Sequence, residues 1–437
     1  MSASAITHRR VLGIALPIVL SNATIPILGA VDTAVVGQLG LAAPIGAVGL
    51  GSVILASIYW IFSFLRMGTT GLVSQARGAG EAAETGALLT RALFLGAAAG
   101  LVFVAGQAAI FHGAFLLAPA SPEVEGLART YLGIRIWSAP AAISIYALTG
   151  WLIAMERARG VLALQLVMNG VNVVLDLVFV LGFGWGVAGV AAATLIAEWS
   201  GLAVGLWLCR SAFTGAQWRD WARVFDPERL RRMAAVNRDI LIRSVVLQAS
   251  FTSFLFFGAG LGDVTLAANQ VLLQFLAIGA YALDGFAFAA EALIGQTLGS
   301  RARGDLRRAA LMTSEWGVGT ALVLALAFLV LGPWLIDLMT TSPEVRAAAR
   351  LYLPWLAAAP LVGIAAWMLD GIFIGATRTR DMRNAMLFSA AVYVVAVWGL
   401  VAGFGNHGLW AALMVLNTTR GITLALRYPA LERAAAA

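Results

Sequence analysis

Apolar stretches of bilayer length alternate along this chain with short polar breaks. A transmembrane helix needs about 20 predominantly apolar residues in a row. Twelve such stretches can be placed, at roughly 11–37, 46–73, 87–111, 130–154, 161–182, 187–209, 240–261, 268–297, 309–333, 350–376, 384–403 and 408–427. The most polar break, 210–239, contains Trp218-Arg219-Asp220 and the run from Asp226 to Arg232. Its Asp226-Pro227-Glu228 reads as a helix cap, a proline in the first turn and an acid near the helix start. The pattern predicts a short amphipathic surface helix there. That helix would join an N-terminal six-helix bundle over 1–209 to a C-terminal one over 240–437.

The two halves repeat. Ser121-Pro122-Glu123-Val124 returns 221 residues later as Ser342-Pro343-Glu344-Val345. At the same offset Ala128-Arg129-Thr130-Tyr131-Leu132 returns as Ala349-Arg350-Leu351-Tyr352-Leu353, and Gly182-Phe183-Gly184 as Gly403-Phe404-Gly405. Arg157 and Arg159 map to Arg378 and Arg380, and Gln75 and Gly78 to Gln296 and Gly299. One offset held across helices and loops implies six helices duplicated. Six is even, so both copies enter the membrane from the same side, and the axis relating them is expected along the membrane normal.

Composition agrees with the pattern. Of 437 residues, 61% are hydrophobic and 12% charged, against a charged share of roughly 25% in soluble domains. The net charge is +7, and all the basic charge behind it is arginine, for the chain has no lysine. These arginines sit in short loops, which argues against nucleic-acid binding and gives an orientation. With the N-terminus cytoplasmic, that side holds Arg9, Arg10, Arg77, Arg157, Arg159, the connector, Arg301, Arg303, Arg307, Arg308, Arg378, Arg380, Arg383 and Arg433. The opposite side keeps Arg129, Arg346 and Arg350. Both termini are therefore expected in the cytoplasm, on a multi-pass protein of the inner membrane. The first apolar run is too long for a signal peptide and lacks a small-residue cleavage site, so it is read as a retained span. Cys209 is the lone cysteine, which excludes an intrachain disulfide.

The segment Leu16 to Gly40 stands out. It is apolar, carries Pro17 and Pro26, and holds one acid, Asp32. A carboxylate at membrane depth is costly and marks a functional site by default, while each proline removes a backbone hydrogen bond and favours a bend, which makes Pro17 and Pro26 hinge candidates. Helix 5 adds Asn172 and Asp176, four apart on one face, and helix 6 adds Thr194. At the 221 offset, Asp176 meets Val397, Asn172 meets Tyr393, and Asp32 falls near Phe254, so this set belongs to the first half alone. Two carboxyls, an amide and a hydroxyl suit a proton or a hard monovalent cation. The plainer reading is that both acids lie near helix ends in interfacial water, and that Thr194 bonds back to its own helix.

The second half has Asp284, Glu291 and Gln274 on helix 8 and Asp370 on helix 10. They are candidates for a substrate pathway or for structural pairing, with Arg66 and Arg135 as possible partners. Glu156 reads as part of a solvated loop network, and Glu198 and Glu315 as pairing or interface groups. His8, His112 and His407 fall in terminal or loop positions without ligand spacing, so no metal site is expected. No GxxxxGK[ST] loop occurs, which argues against ATP as energy source. The aromatic-rich segments, such as Tyr59 to Phe64 and Phe251 to Phe257, are read mostly as lipid-facing or core, with a minority able to stack on an aromatic or cationic substrate.

With LPIVLSN…VDTAVVGQLG in helix 1, Asn172-Val-Val-Leu-Asp176 in helix 5 and a parallel six-plus-six layout, the chain resembles the multidrug and toxic compound extrusion (MATE) family. The helix 8 stretch LDGFAFAAEALIGQTLGS is similar to its DinF-like branch. The resemblance covers nearly the whole chain. It implies an all-α, V-shaped pair of six-helix bundles around a central cleft, acting as a proton- or sodium-coupled antiporter that expels organic cations and other amphipathic drugs without a cofactor. In prokaryotic members an Asp on helix 1, an Asn and an Asp on helix 5 and a Thr on helix 6 build the first-lobe cation site, and Asp32, Asn172, Asp176 and Thr194 occupy the matching positions. Another branch uses a Glu on helix 7 with an Asp on helix 10. Here helix 7 has Gln248 and no Glu, although Asp370 is present. A monomer in the bilayer is expected.

Three other functions compete with this reading. A lipid-linked precursor flippase would favour an arginine-lined cleft. A membrane-embedded enzyme would need a His, Cys or Ser constellation at membrane depth. A channel fits two tandem bundles with an asymmetric acid set less well than a carrier does.

Overall fold

The computed structural model describes residues 5–38, 40–215 and 217–434; the first four residues of the N-terminal stretch read above lie outside them. Every regular element among these residues is helical. The spans are α1 (His8–Gly37), α2 (Ala42–Gly78), α3 (Ala82–Ala105), α4 (Pro122–Ala154), α5 (Ala158–Gly182), α6 (Gly186–Leu208), α7 (Pro227–Ala259), α8 (Asp263–Gly299), α9 (Arg303–Met339) and α10 (Pro343–Gly375). The last stretch, Thr379–Ala434, is two helices, α11 and α12, joined at Gly405, whose φ of 54° and ψ of −130° break the helical path. Only a residue without a Cβ adopts such a backbone cheaply. The described chain thus folds as two successive sets of six membrane helices.

Two helices start well before their apolar runs because capping extends them into polar sequence. Ser121 opens α4 and Ser342 opens α10, each accepting the backbone N–H three residues on, from Val124 and Val345, with proline at the first helical position. The repeated tetrapeptide is therefore a helix start used twice. The connector departs from expectation. Asp226 does cap a helix, accepting the Arg229 N–H at 2.9 Å. That helix is not a separate surface element, however: with no breaker after Pro227 it runs on as α7 to Ala259. What remains of the connector is three short turns, Arg210–Phe213, Gln217–Arg219 and Trp221–Val224. They are fixed to α3. Arg91 donates to the carbonyls of Val224 and Arg223 at 2.8 and 2.7 Å, and Thr90 to that of Trp218 at 3.0 Å. After Gly106 a short helix, Gln107–Leu117, carries His112, which was expected in a loop.

The chain packs as two compact units. The first holds Leu20–Val73 and Glu81–Arg232. The second gathers the chain up to Val19, Ser74–Gly80 and the chain from Met233 onward. α1 passes from one unit to the other between Pro17 and Pro26. Inside each unit the repeat makes the same contact. In the first, a Cβ on Gly150 of α4 would overlap the Arg66 carbonyl of α2. In the second, a Cβ on Gly371 of α10 would overlap the Ala287 carbonyl of α8, both partners lying 221 residues on. Within the second unit the copies also meet each other. Gly78 lies against the Gln296 carbonyl and Gly299 against the Gln75 carbonyl, one contact made reciprocally by equivalent residues.

Candidate functional site

The four first-half candidates all lie in the first unit. α5 presents Asn172 and Asp176 on one face, and both are fully buried. Asn172 donates from Nδ2 to the Thr194 hydroxyl on α6 at 3.1 Å, and that hydroxyl donates to the Val190 carbonyl at 3.0 Å. Thr194 therefore bonds back to its own helix and still anchors the amide. The Asn172 Oδ1 is left without a partner among the described residues.

Asp176 sits where α5 changes character. The six residues after it, Leu177–Gly182, wind as a π-helix, closed by bonds from the N–H of Phe183 to the Val178 carbonyl and from that of Trp185 to the Phe179 carbonyl, both 2.9 Å. Such wide turns recur at functional sites. Gly184, at a φ of 70°, ends the element. Asp32, half-buried on α1, lies within interaction range of the Asp176 carboxyl. Among the described residues no donor reaches Asp32 Oδ1 or either oxygen of Asp176. An ionised carboxyl only accepts hydrogen bonds, so these two can bond to each other only when a proton lies between them. Otherwise their facing oxygens ask for a cation.

A further residue of this face escaped the sequence reading. Asn169, three positions before Asn172, donates to the Thr24 carbonyl of α1 at 3.4 Å and accepts from Gln165 at 2.9 Å. It ties α5 to α1 within two residues of Pro26. The spacing 169, 172, 176 marks one helical face, but an uncharged amide in a membrane helix carries no signal of its own in sequence. Pro17 and Pro26 both lie within a continuous α1.

Also in this unit, Arg135 at the end of the first segment of α4 pairs with Glu198 of α6 at 2.6 Å, and its charge acts on Asp32.

The second-half acids are placed differently. Asp370, buried on α10, is held by both Arg243 of α7 and Arg420 of α12, and Arg420 also donates to Asn417 at 3.1 Å. Its partners are thus neither Arg66 nor Arg135. Glu291 is buried on α8, Asp284 is half-buried, and Gln274 and Glu315 are exposed. His8 and His407 each accept at Nδ1 from an indole N–H, of Trp316 at 3.1 Å and Trp355 at 2.9 Å.

The MatE family model matches residues 17–178 and 240–398, once in each half. DNA damage-inducible protein F of Escherichia coli (strain K12) is 39% identical over 421 residues, which cover 94% of this chain and 90% of that protein. A probable multidrug resistance protein NorM of Synechococcus sp. is 27% identical over 427 residues, covering 91% of this chain and 89% of that one. Among solved structures, the Vibrio cholerae MATE transporter VcmN in its bent form shares the fold with a TM-score of 0.88, over 98% of this chain and 97% of that chain at 21% identity. The helix 1, helix 5 and helix 8 motifs, the duplicated six-helix fold and the matches along both halves agree: this chain belongs to the MatE family, the multidrug and toxic compound extrusion family, on the branch of DNA damage-inducible protein F.

Proposed function

We propose that the protein is a secondary active multidrug efflux antiporter of the cytoplasmic membrane, exporting amphipathic or cationic organic compounds in exchange for protons or sodium. The observation that carries this reading is the fully buried Asp176, whose two carboxyl oxygens find no donor among the described residues, set beside Asp32. A bare carboxylate in such a place is costly. A proton shared with Asp32, or a sodium ion among the oxygens of Asp32, Asp176, Asn172 and Thr194, removes that cost. The relatives named as multidrug resistance proteins support the substrate class.

Antiport requires that ion and drug bias the same two states in opposite directions. In this reading the ion, by filling the gap between Asp32 on α1 and Asp176 on α5, draws α1 onto α5. α1 can respond because Pro17 and Pro26 each deprive it of a backbone hydrogen bond, and it crosses from one packing unit to the other between them. Drug binding is weakened in the ion-loaded state and restored when the ion leaves. Apolar drugs are held by aromatic and methionine surface, cationic ones also by acids. Asp284, Glu291 and Gln274 remain candidates for the drug path, while Asp370 takes the structural pairing with Arg243 and Arg420. Orientation follows the arginines, with both termini cytoplasmic, and the unit of function is a monomer without a cofactor.

Asp32→Asn keeps the shape of the side chain and removes its charge. In proteoliposomes reconstituted at equal density it should abolish ion-gradient-driven drug efflux while leaving most drug binding, measured in detergent, in place. Asp176→Asn should act alike. Wild-type efflux with unchanged gradient dependence in Asp32→Asn would make the carboxyl structural and the mechanism wrong.

A further inference from the structure

We propose that Arg135 and Glu198 are positioning residues for the coupling ion, a buried charge pair that sets how tightly the Asp32–Asp176 carboxyls hold it. This rests on the antiport reading above. The placement comes from α6. Thr194 and Glu198 are one turn apart on the same face, Thr194 bonding Asn172 and Glu198 bonding Arg135. The ion site and the charge pair therefore share one rigid helix, about 6 Å apart along its axis. Arg135 is buried, 7% exposed. It donates from Nη1 to Glu198 Oε2 at 2.6 Å and to the Ser138 hydroxyl at 3.0 Å, and that hydroxyl bonds the Arg135 carbonyl at 2.6 Å. The short 3-10 turn Ile136–Ser138 inside α4 folds the hydroxyl back to that carbonyl.

The pair is not saturated. Arg135 Nε and the buried Tyr59 hydroxyl of α2 have no hydrogen-bond partner among the described residues. Tyr59, Tyr131 and Tyr146 gather around Glu198 and Arg135, with Arg66 acting on Tyr146. On α1, Asp32 lies within electrostatic range of both Asp176 and Arg135. Arg135, bonded to Glu198, then also serves Asp32 as a more distant cation. With an ion bound at the carboxyls, Glu198 alone answers the guanidinium. Once the ion has left, the guanidinium also steadies the exposed charge of Asp32. Glu198 limits that help and so keeps the ion bound.

A merely structural pair behaves otherwise. Removing either partner of a buried ion pair destabilises the protein, and both single substitutions would then act alike. The proposal gives them opposite signs. Glu198→Gln leaves Arg135 wholly to Asp32, so the ion concentration for half-maximal efflux should rise on the order of tenfold. For protons this is a shift of the transport profile to lower pH. Arg135→Gln removes the competing cation, so the same quantity should fall by a comparable factor, and Arg135→Gln/Glu198→Gln should lie between the singles. Efflux is titrated with protons and with sodium separately, on variants shown monodisperse by size-exclusion chromatography. Where Glu198→Gln does not fold, Glu198→Asp keeps the charge but draws it back, and should shift weakly in the same direction as the Gln variant. Shifts of one sign in both single variants, or none, overturn the proposal. Asp32→Asn, run alongside, separates the two claims. Lost coupling there with unshifted pair variants rejects this inference and leaves antiport standing, whereas retained coupling rejects antiport itself.

Discussion

Asp32 and Asp370 are both lone acids in apolar helices, yet their surroundings give them different work. Asp370 has two guanidiniums on it, from Arg243 and Arg420, and closes a charge cluster within the second unit. Asp176, beside Asp32, has no donor on either oxygen among the described residues. Replacing Asp370 by Asn leaves two buried arginines facing each other, at a cost of about 3–5 kcal/mol for a broken buried pair. Asp32→Asn removes a charge that no guanidinium bonds directly among the described residues. Thermal melting in detergent should therefore fall further for Asp370→Asn than for Asp32→Asn, while the loss of coupled efflux should rank the other way. A smaller melting shift for Asp370→Asn would contradict the pairing. No single position announces this difference in sequence, since both acids lie in equally apolar runs. The arginines that answer Asp370 come from helices more than a hundred and fifty residues apart.

At the scale of elements, much was legible. Among the described residues each of the twelve apolar runs falls on one of α1 to α12, the run 87–111 reaching on into the helix Gln107–Leu117, because length and hydropathy suffice where every backbone group must be bonded internally. The ends were not, because serine caps, prolines at first positions and buried pairs such as Arg91–Glu84, 2.7 Å, carry helices past their apolar limits. The connector misled for the same reason. Asp226-Pro227-Glu228 does start a helix, but nothing in the next thirty residues stops it. The π-turn after Asp176 has no such signature: it is a backbone bonding pattern, and at its end Phe179 stacks on Phe183 and Trp185, with centroids 6.0 and 4.9 Å apart. Of the candidate site, Asn172 and Asp176 were legible as a helical pair. Their meeting with α1 and α6, and the role of Asn169, depend on tertiary packing.

At the scale of the whole molecule, duplication built two sets of six helices and then lost its symmetry in chemistry. The equivalent glycine contacts of Gly150 and Gly371 preserve the common ancestry of the halves, whereas Val397 and Tyr393 stand where the first half has Asp176 and Asn172. The arginine asymmetry predicts how the molecule lies in the membrane. In a Cys209→Ala background, a cysteine at exposed position 220 should react with an impermeant maleimide only from the cytoplasmic side, and one at exposed position 123 only from the opposite side. Labelling of 220 from outside would refute the orientation. Unequal halves also fit an exchanger whose ion site occurs once. The most direct test drives the exchange backwards. Proteoliposomes are loaded with a drug gradient and no ion gradient, and the opposing flux of protons is followed with an entrapped pH dye, or that of sodium with a radiotracer. The wild type should move one of these ions against the drug, and Asp32→Asn neither. An ion flux undiminished in Asp32→Asn, or drug movement without any opposing ion in the wild type, would contradict the account.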